Sequence, residues 1–193
     1  MEAFLVSLGA IFIGEIGDKT QLLALLLAAR FKRPIPIILG ILVATVSNHI
    51  VAALIGHWVA THFSPEFLRW ILGLSFIAIA AWTLKPDEID NKKIDHAEFG
   101  EFGIFTITVF SFFLAEVGDK TQIATMAIAA KYPNIYMVVA GSTLGMMLAD
   151  VPAVFLGNKA TTNFPFKWIR WGAAFIFTAL GCVVLVGFDV GLF

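Results

Sequence analysis

The chain has 193 residues, of which 59% are hydrophobic and only 14% are charged, and its net charge at pH 7 is -1. Its mean hydropathy is +0.88. So few charged side chains cannot cover a soluble protein, and the nearly neutral balance gives no reason to expect nucleic acid as a partner. Several apolar stretches reach the roughly 20 residues that span a bilayer as a helix. We therefore expect an all-α membrane protein embedded in lipid.

Six transmembrane helices are predicted, at about residues 3–29, 35–61, 66–84, 102–130, 135–157 and 166–188. A proline accompanies each break between them, and proline is the residue least able to continue a helix. The prolines are Pro34, Pro65, Pro86, Pro133 and Pro165. The first apolar stretch continues to Arg30, which predicts a retained first helix rather than a cleaved signal peptide.

Two copies of one heptapeptide interrupt the apolar runs. The first motif is Glu15-Ile-Gly-Asp-Lys-Thr-Gln21, and the second motif, 101 residues later, is Glu116-Val-Gly-Asp-Lys-Thr-Gln122. Carboxylates inside a membrane are costly, so their presence in both copies indicates a functional site. The glycine inside each motif has two explanations, a local opening of the helix or small-residue packing between helices.

The 101-residue offset extends far beyond the motifs. Gly40 matches Gly141, Gly56 matches Gly157, and the sequence around Trp70 matches that around Trp171. Residues 1–85 and 102–193 are therefore expected to be two three-helix repeats, joined by an acidic cytoplasmic linker at 86–101. Since three is an odd number of spans, the second repeat should enter the membrane in the opposite sense.

The basic residues test this inverted topology. Nine lysines and arginines fall in the loops between helices 1 and 2, 3 and 4, and 5 and 6, whereas the opposite face has only Arg69 and Lys131. Cytoplasmic loops are enriched in basic residues. Those three loops are predicted to be cytoplasmic and both termini to lie on the other side.

The motifs predict a metal site. Residues three apart share a helix face, so Glu15 should lie beside Asp18, and Glu116 beside Asp119. Two inverted halves would bring these four carboxylates together near the middle of the membrane. Further oxygen ligands could come from Gln21, Gln122, Thr20, Thr121 and Asn48. An all-oxygen site suits a hard divalent cation such as Ca²⁺, Mn²⁺ or Mg²⁺.

The lysines of the motifs allow a second explanation. Lys19 and Lys120 each follow a glutamate by four residues, so local structural ion pairs are possible, although these leave Asp18 and Asp119 unexplained. With the lysines charged, four carboxylates and two ammonium groups sum to -2, which one divalent ion neutralises.

Three other polar residues lie within predicted spans. Asp150 aligns with His49 at the 101-residue offset, and its burial in a membrane favours a role as a proton carrier or ligand. His49 is either an accessory group of the site or a hydrogen-bonded core residue. Asn48 is a candidate ligand or a helix–helix hydrogen-bonding residue.

With its twin Glu-φ-Gly-Asp-Lys-Thr motifs, the chain resembles the Golgi Ca²⁺/Mn²⁺ transport protein family, which includes bacterial manganese exporters. The resemblance covers six spans, two halves and the acidic central linker. It implies that Glu15, Asp18, Glu116 and Asp119 bind the cation, with Lys19, Thr20, Lys120 and Thr121 completing the motifs. It also implies Mn²⁺ or Ca²⁺ transport in exchange for protons. The short N-terminus departs from the eukaryotic members, which carry leader sequences, and indicates a bacterial inner membrane, where the charge bias predicts both termini to be periplasmic.

The leading hypothesis is a secondary transporter that exports Mn²⁺ by alternating access, driven by inward proton movement. The first alternative is a Ca²⁺/H⁺ antiporter with the same mechanism, and a weaker one is a cation channel with a ring of acids. An enzyme is not expected, because no phosphate loop, nucleophile elbow or zincin motif is present. No cofactor is expected apart from the transported ion, and the single cysteine, Cys182, cannot build a thiolate metal cluster.

Overall fold

The computed structural model describes residues 1–84, 100–157 and 166–186, and these residues form eight α-helices without a β-strand. The predicted linker at 86–101 lies outside this part of the chain except for its last two residues. In chain order the helices are α1 (Glu2–Glu15), α2 (Lys19–Phe31), α3 (Pro34–His62), α4 (Pro65–Leu84), α5 (Glu101–Glu116), α6 (Lys120–Lys131), α7 (Ile135–Gly157) and α8 (Phe166–Val186).

Four of the six predicted helices are single elements, and two of these begin at a proline. Pro34 is the first residue of α3 and Pro65 the first residue of α4. The first position of a helix tolerates proline, since its missing N–H would have no partner there. Predicted helices 2, 3 and 5 agree with α3, α4 and α7 to within one residue at each end, and predicted helix 6, at 166–188, begins at the same residue as α8.

Predicted helices 1 and 4 are each broken inside the motif, and a continuous helix was the wrong expectation there. The first becomes α1 and α2, of 14 and 13 residues, and the second becomes α5 and α6. The second pair is bent by 69° at its break. Neither α1 nor α2 alone reaches the length that a membrane span requires.

Within the described residues, three helices are long and apolar enough to cross a membrane: Pro34–His62, Glu66–Leu84 and Ile135–Gly157. The bent pair Glu101–Glu116 with Lys120–Lys131 makes a fourth if it is counted as one span. The chain is thus an all-helical protein with several apolar helices of membrane-spanning length.

The first four helices, α1–α4, pack mainly on the last four, α5–α8. Helix α7 packs against α1 and α2, and α3 packs against α5 and α6. The pairs α3 with α7 and α4 with α8 also meet. Two apolar cores result, one around Phe76, Phe177 and Met146 and the other around Ile41 and Phe112.

Close helix contacts occur at glycines that match across 101 residues. A Cβ atom at Gly40 would lie 2.7 Å from the Cβ of Thr108, and one at Gly141 would lie 3.0 Å from the Cβ of Ser7. Thr108 and Ser7 are themselves 101 residues apart. Both glycines therefore allow α3 and α7 to approach α5 and α1 in matching ways.

A second glycine pair repeats this pattern. A Cβ atom at Gly56 would collide with the backbone carbonyl of Met126, and one at Gly157 with that of Leu25. Met126 and Leu25 are again 101 residues apart. Each half thus contacts the other through equivalent residues, and these contacts place the two motifs within the interface.

Candidate cation site between the two motifs

Both motifs fold as a break between two helices. Helix α1 ends at Glu15 and α2 begins at Lys19, while α5 ends at Glu116 and α6 begins at Lys120. The glycine in each break has a positive φ, 81° at Gly17 and 77° at Gly118. An L-residue with a side chain is strained in this conformation, whereas glycine adopts it readily. Of the two explanations for these glycines, the structure supports local opening.

The break changes how the acids are presented. Glu15 and Asp18 do not share the face of one helix, as the sequence predicted, and the same correction applies to Glu116 and Asp119. Each glutamate is the last residue of one helix, and each aspartate is the N-cap residue of the next. The carboxylates therefore flank a non-helical backbone, which within a membrane is tolerated where it is buried in protein or lines a cavity.

Each glutamine of the motifs stabilises its own break. The Gln21 Oε1 atom accepts a hydrogen bond of 2.8 Å from the Gly17 N–H, and Gln122 Oε1 accepts one of 2.7 Å from Gly118. An aspartate N-cap followed three residues later by glutamine resembles a capping box. These two amide oxygens, predicted as possible ligands, hold the backbone in this structure.

Two ion pairs cross between the motifs. The Lys19 Nζ atom lies 2.7 Å from Asp119 Oδ1, and the Lys120 Nζ atom lies 2.5 Å from Asp18 Oδ1. Both aspartates are buried. The two motifs therefore meet, as the sequence predicted. The lysines pair with the aspartate of the opposite motif instead of with the local glutamate, so the alternative of local Glu–Lys pairs is wrong.

The glutamates occupy different environments. Glu15 is fully buried, and neither of its carboxylate oxygens has a hydrogen-bond partner among the described residues. Glu116 is equally buried, but its Oε2 atom accepts a 2.9 Å hydrogen bond from the hydroxyl of Thr121. The hydroxyl of Thr20, which matches Thr121, has no such partner in the described part of the chain.

Helix α7 adds a fifth acid to this region. Asp150 is fully buried, and within the described residues both of its oxygens lack a hydrogen-bond partner. It interacts electrostatically with Glu15 and Glu116. The Gln21 Nε2 atom donates a 3.1 Å hydrogen bond to the carbonyl of Ala149, which fixes this turn of α7 beside the first motif. Asp150 thus lies close enough to the glutamates of both motifs to interact with their charges.

Helix α3 contributes less directly. The Asn48 side chain donates a 3.2 Å hydrogen bond to the carbonyl of Phe113, in the last turn of α5. Asn48 therefore ties two helices together near the second motif. His49 is fully buried, and neither ring nitrogen finds a partner among the described residues. No hydrogen bond in that part of the chain joins it to a motif.

The carboxylate and hydroxyl oxygens of this region are ligands that suit a hard cation. In this structure, however, the carboxylates do not converge closely enough to coordinate one ion together. Oxygens of Glu15, Glu116 and Asp150 are buried without hydrogen-bond partners among the described residues. No three His, Cys, Asp or Glu residues within the described ranges form a group that could hold a metal in their present positions. Binding an ion here would require the side chains to close further.

The crossed pairing was missed by sequence reasoning, although one signal for it was available. If two inverted halves bring both motifs together, each lysine can reach the aspartate of the other motif as readily as its own glutamate. The hydrogen bond from Gln21 to the Ala149 carbonyl could not be predicted from the sequence, because every residue has a backbone carbonyl.

Comparison with known proteins gives a specific match. A family model described as "Divalent cation/proton antiporter GDT1" matches residues 3–91 and again residues 104–189. A Vibrio cholerae protein named "Putative manganese exporter" is 43% identical over 178 residues, covering 92% of this chain and 87% of that protein. The "Divalent cation/proton antiporter GDT1" of Saccharomyces cerevisiae is 22% identical, covering 92% of this chain and 81% of that protein.

A plant relative extends the similarity. "GDT1-like protein 3" of Oryza sativa subsp. indica is 28% identical over 213 residues, covering 98% of this chain and 72% of that protein. No solved structure matches the chain.

Proposed function

Because the chain belongs to the divalent cation/proton antiporter GDT1 family, we propose that it exports Mn²⁺ from the cytoplasm in exchange for protons. The family is one of transporters, so a divalent metal ion and protons are its substrates. The choice of Mn²⁺ is supported by the 43% identity to the Vibrio cholerae protein named for manganese export.

The observation that carries this proposal is the buried carboxylate of Glu15, which has no hydrogen-bond partner among the described residues and lies next to the crossed ion pairs. A buried carboxylate without a counter-charge or hydrogen-bond donor is costly. A divalent cation would offset that cost, and carboxylate and hydroxyl oxygens are ligands that Mn²⁺ and Ca²⁺ both accept.

We assign the site as follows. Glu15, Asp18, Glu116 and Asp119 are the principal ligands, and Thr20 is a further candidate because its hydroxyl has no partner within the described residues. Thr121 orients Glu116. Four carboxylates and two lysines sum to -2, so one Mn²⁺ replaces about two protons. Asp150 and His49 remain candidates for carrying protons to the site and would alter this count.

Metal and protons would compete for the same oxygens. A carboxylate that has released a metal ion can take up a proton, and a protonated carboxyl is a poor metal ligand. Protons entering from the more acidic side would displace the ion, and their loss on the cytoplasmic side would restore the site. Antiport results if the same carboxylates are open to one side of the membrane at a time, so that they bind protons on one side and the metal ion on the other.

We also propose the architecture in which this works. Residues 1–85 and 102–193 would be two inverted three-helix repeats with six spans in all, joined by the cytoplasmic linker at 86–101. Support comes from the double family match, the glycine contacts repeated across 101 residues, and the nine-to-two bias of basic residues. Both termini would then be periplasmic in a bacterial inner membrane.

Inside-out vesicles test the proposal. With an acidic lumen, Mn²⁺ uptake should saturate, stop when a protonophore collapses the gradient, and reverse when the gradient is inverted. Uptake that ignores the pH gradient would rule out proton coupling. Flux that is purely downhill and does not saturate would indicate a channel instead.

Substitutions test the site within the same assay. Glu15→Gln and Asp119→Asn should abolish Mn²⁺ uptake, because each removes a charge from a buried ligand set. Glu101→Gln is the matched control, since Glu101 is exposed and contacts only Arg33 in the described structure. Full uptake by Glu15→Gln would remove Glu15 from the site.

The second candidate substrate is Ca²⁺, which an all-oxygen donor set favours equally. Competition decides between the two ions. If Mn²⁺ is preferred, a tenfold excess of Ca²⁺ should reduce Mn²⁺ uptake only slightly, and ⁴⁵Ca²⁺ uptake should require far higher concentrations.

A further inference from the structure

The two crossed ion pairs have the same chemistry but different surroundings. Lys19 keeps 29% of its side-chain surface exposed, whereas Lys120 keeps 3%. The aspartate partner of each is buried. Since the two lysines hold matching positions in the two motifs, the difference in exposure arises from the helices around them.

The residues that precede Asp119 are exposed as well. Val117 is 55% exposed, and Gly118 is also exposed, while the matching Ile16 is half-buried and Gly17 is buried. A lysine within the membrane almost always faces a water-filled cavity or the protein interior, because an ammonium group in hydrocarbon is costly. The exposed part of Lys19 is therefore expected to face water, whereas Lys120 is enclosed by protein.

We propose that Lys19 is a displaceable internal cation, which leaves Asp119 for water when a divalent metal ion binds, while Lys120 stays with Asp18. This inference rests on the proposed transport function. An ammonium group and a metal ion compete for the same carboxylate oxygen. Asp119 can therefore offer its Oδ1 atom to a metal ion only after Lys19 has moved, whereas Asp18 would bind the ion through its other oxygen, Oδ2, while its Oδ1 atom stays with Lys120.

This competition gives Lys19 a role in ion selection. A cation enters only if it binds the acids more strongly than the tethered ammonium does. Monovalent ions offer the carboxylates no more charge than Lys19 already supplies, so they do not displace it. A divalent ion does, because its attraction to each carboxylate is about twice as large at equal distance. Lys19 thus excludes Na⁺ and K⁺ without contacting them.

Equilibrium metal binding tests the inference independently of transport. Purified protein in detergent would be titrated with Mn²⁺ and followed by the electron paramagnetic resonance signal of free Mn²⁺. Lys19→Met should bind Mn²⁺ about tenfold more tightly than the wild type, because the competitor is gone. Lys19→Arg keeps the charge and should restore affinity to near the wild-type value. Unchanged or weaker binding by Lys19→Met would overturn the proposal.

Lys120→Met is the matched comparison. It leaves Asp18 buried without its ammonium partner, a loss that destabilises the fold. It should bind Mn²⁺ no more tightly than the wild type. If Lys19→Met also folds less stably, the rise in its unfolding temperature on adding Mn²⁺ still reports affinity and should exceed that of the wild type.

Metal binding by the wild type distinguishes a failure of the proposed function from a failure of the proposed role of Lys19. A wild type that binds neither Mn²⁺ nor Ca²⁺ would contradict the proposed function and this inference together. A wild type that binds Mn²⁺, with Lys19→Met no tighter, would contradict the inference alone.

Thiol labelling checks the asymmetry of access. Cys182 is the only cysteine in the sequence and is exposed, so Cys182→Ser provides the background. In intact and inside-out vesicles, a membrane-impermeant maleimide should label Lys19→Cys from one side and leave Lys120→Cys protected. Equal labelling of both positions would contradict a water route confined to Lys19.

Discussion

Thr45 and Met146 contact each other inside the molecule, with 3.0 Å between Thr45 Oγ1 and Met146 Sδ. They are 101 residues apart, so they match at the offset that relates the two motifs. The contact joins α3 to α7, the helices that also carry Asn48 and Asp150. If the two repeats are related by a twofold axis, as we propose, that axis would pass close to this contact.

Gly118→Ala should destabilise the protein by about 1–2 kcal/mol and slow Mn²⁺ transport. The reason lies in the backbone alone, because a Cβ atom at Gly118 would meet nothing within 4 Å but φ is 77°. Thermal unfolding in detergent and uptake by vesicles measure the two effects. Gly118→Asn should be milder, since asparagine tolerates this conformation better.

The control for that substitution is Gly100→Ala. Gly100 also has open space around it, but its φ is -63°. A loss of stability as large in Gly100→Ala as in Gly118→Ala would show that positive φ is not the cause.

Gly56→Ala should lower the free energy of unfolding by about 1–3 kcal/mol, because its methyl group would press on the Met126 backbone, which cannot move as a side chain can. Gly9→Ala is the matched control within a helix. A Cβ atom there meets nothing within 4 Å, so the substitution should be neutral or slightly stabilising. Equal unfolding temperatures for both variants would contradict the close approach of α3 and α6.

Thr121→Val should raise the Mn²⁺ concentration needed for half-maximal uptake by about 10-fold or more. The hydroxyl of Thr121 orients the Glu116 carboxylate, and losing such a supporting hydrogen bond typically weakens metal binding to this extent. Thr106→Val is the control, since the Thr106 hydroxyl donates only to the Phe102 carbonyl of its own helix. Similar kinetics for the two variants would argue against Thr121 as the orienting group.

Tyr132→Phe should make stability less sensitive to alkaline pH. Burial and the hydrogen bond to Glu2 raise the pKa of the Tyr132 phenol well above its ordinary value of 10.0. Below pH 10 the phenol is protonated in both states, and its contribution is fully present. Above pH 10 the unfolded chain loses the proton while the folded chain keeps it, so stability falls with rising pH.

Chemical unfolding between pH 8 and 11 measures this slope. Tyr136→Phe removes the other tyrosine of the chain, which is 87% exposed, and should leave the slope unchanged. If Tyr132→Phe retains the slope of the wild type, the hydrogen bond to Glu2 is not its origin.

The positions of α3, α4 and α7 could be predicted because proline and apolar length act locally. The helix breaks at Gly17 and Gly118 could not be fixed in the same way, since glycine within an apolar run is compatible with a continuous helix. The Asp-Lys-Thr-Gln sequence did contain an N-cap signal. In the structure, the local hydrogen bonds of Gln21 and Gln122 and the charged partner that each aspartate finds in the opposite motif both accompany the break. The second of these depends on how distant parts of the chain pack.

The crossed ion pairs likewise could not be predicted from local sequence. Sequence spacing alone made the Glu15–Lys19 pair as reasonable as a pair with Asp119. The distance between residues 101 apart depends on how α1, α2, α5 and α6 assemble. That both motifs meet was predictable from the repeat, whereas the identity of each partner required the structure.

The broken helices have an electrostatic consequence for any ion between them. Each break presents the C-terminal end of one helix, with its partial negative charge, and the N-terminal start of the next, with its partial positive charge. At a point between two such ends, the potentials of these partial charges have opposite signs and partly cancel. We therefore expect the charged side chains of the motifs to set the sign of the potential there, so that neutralising one of them should change it directly.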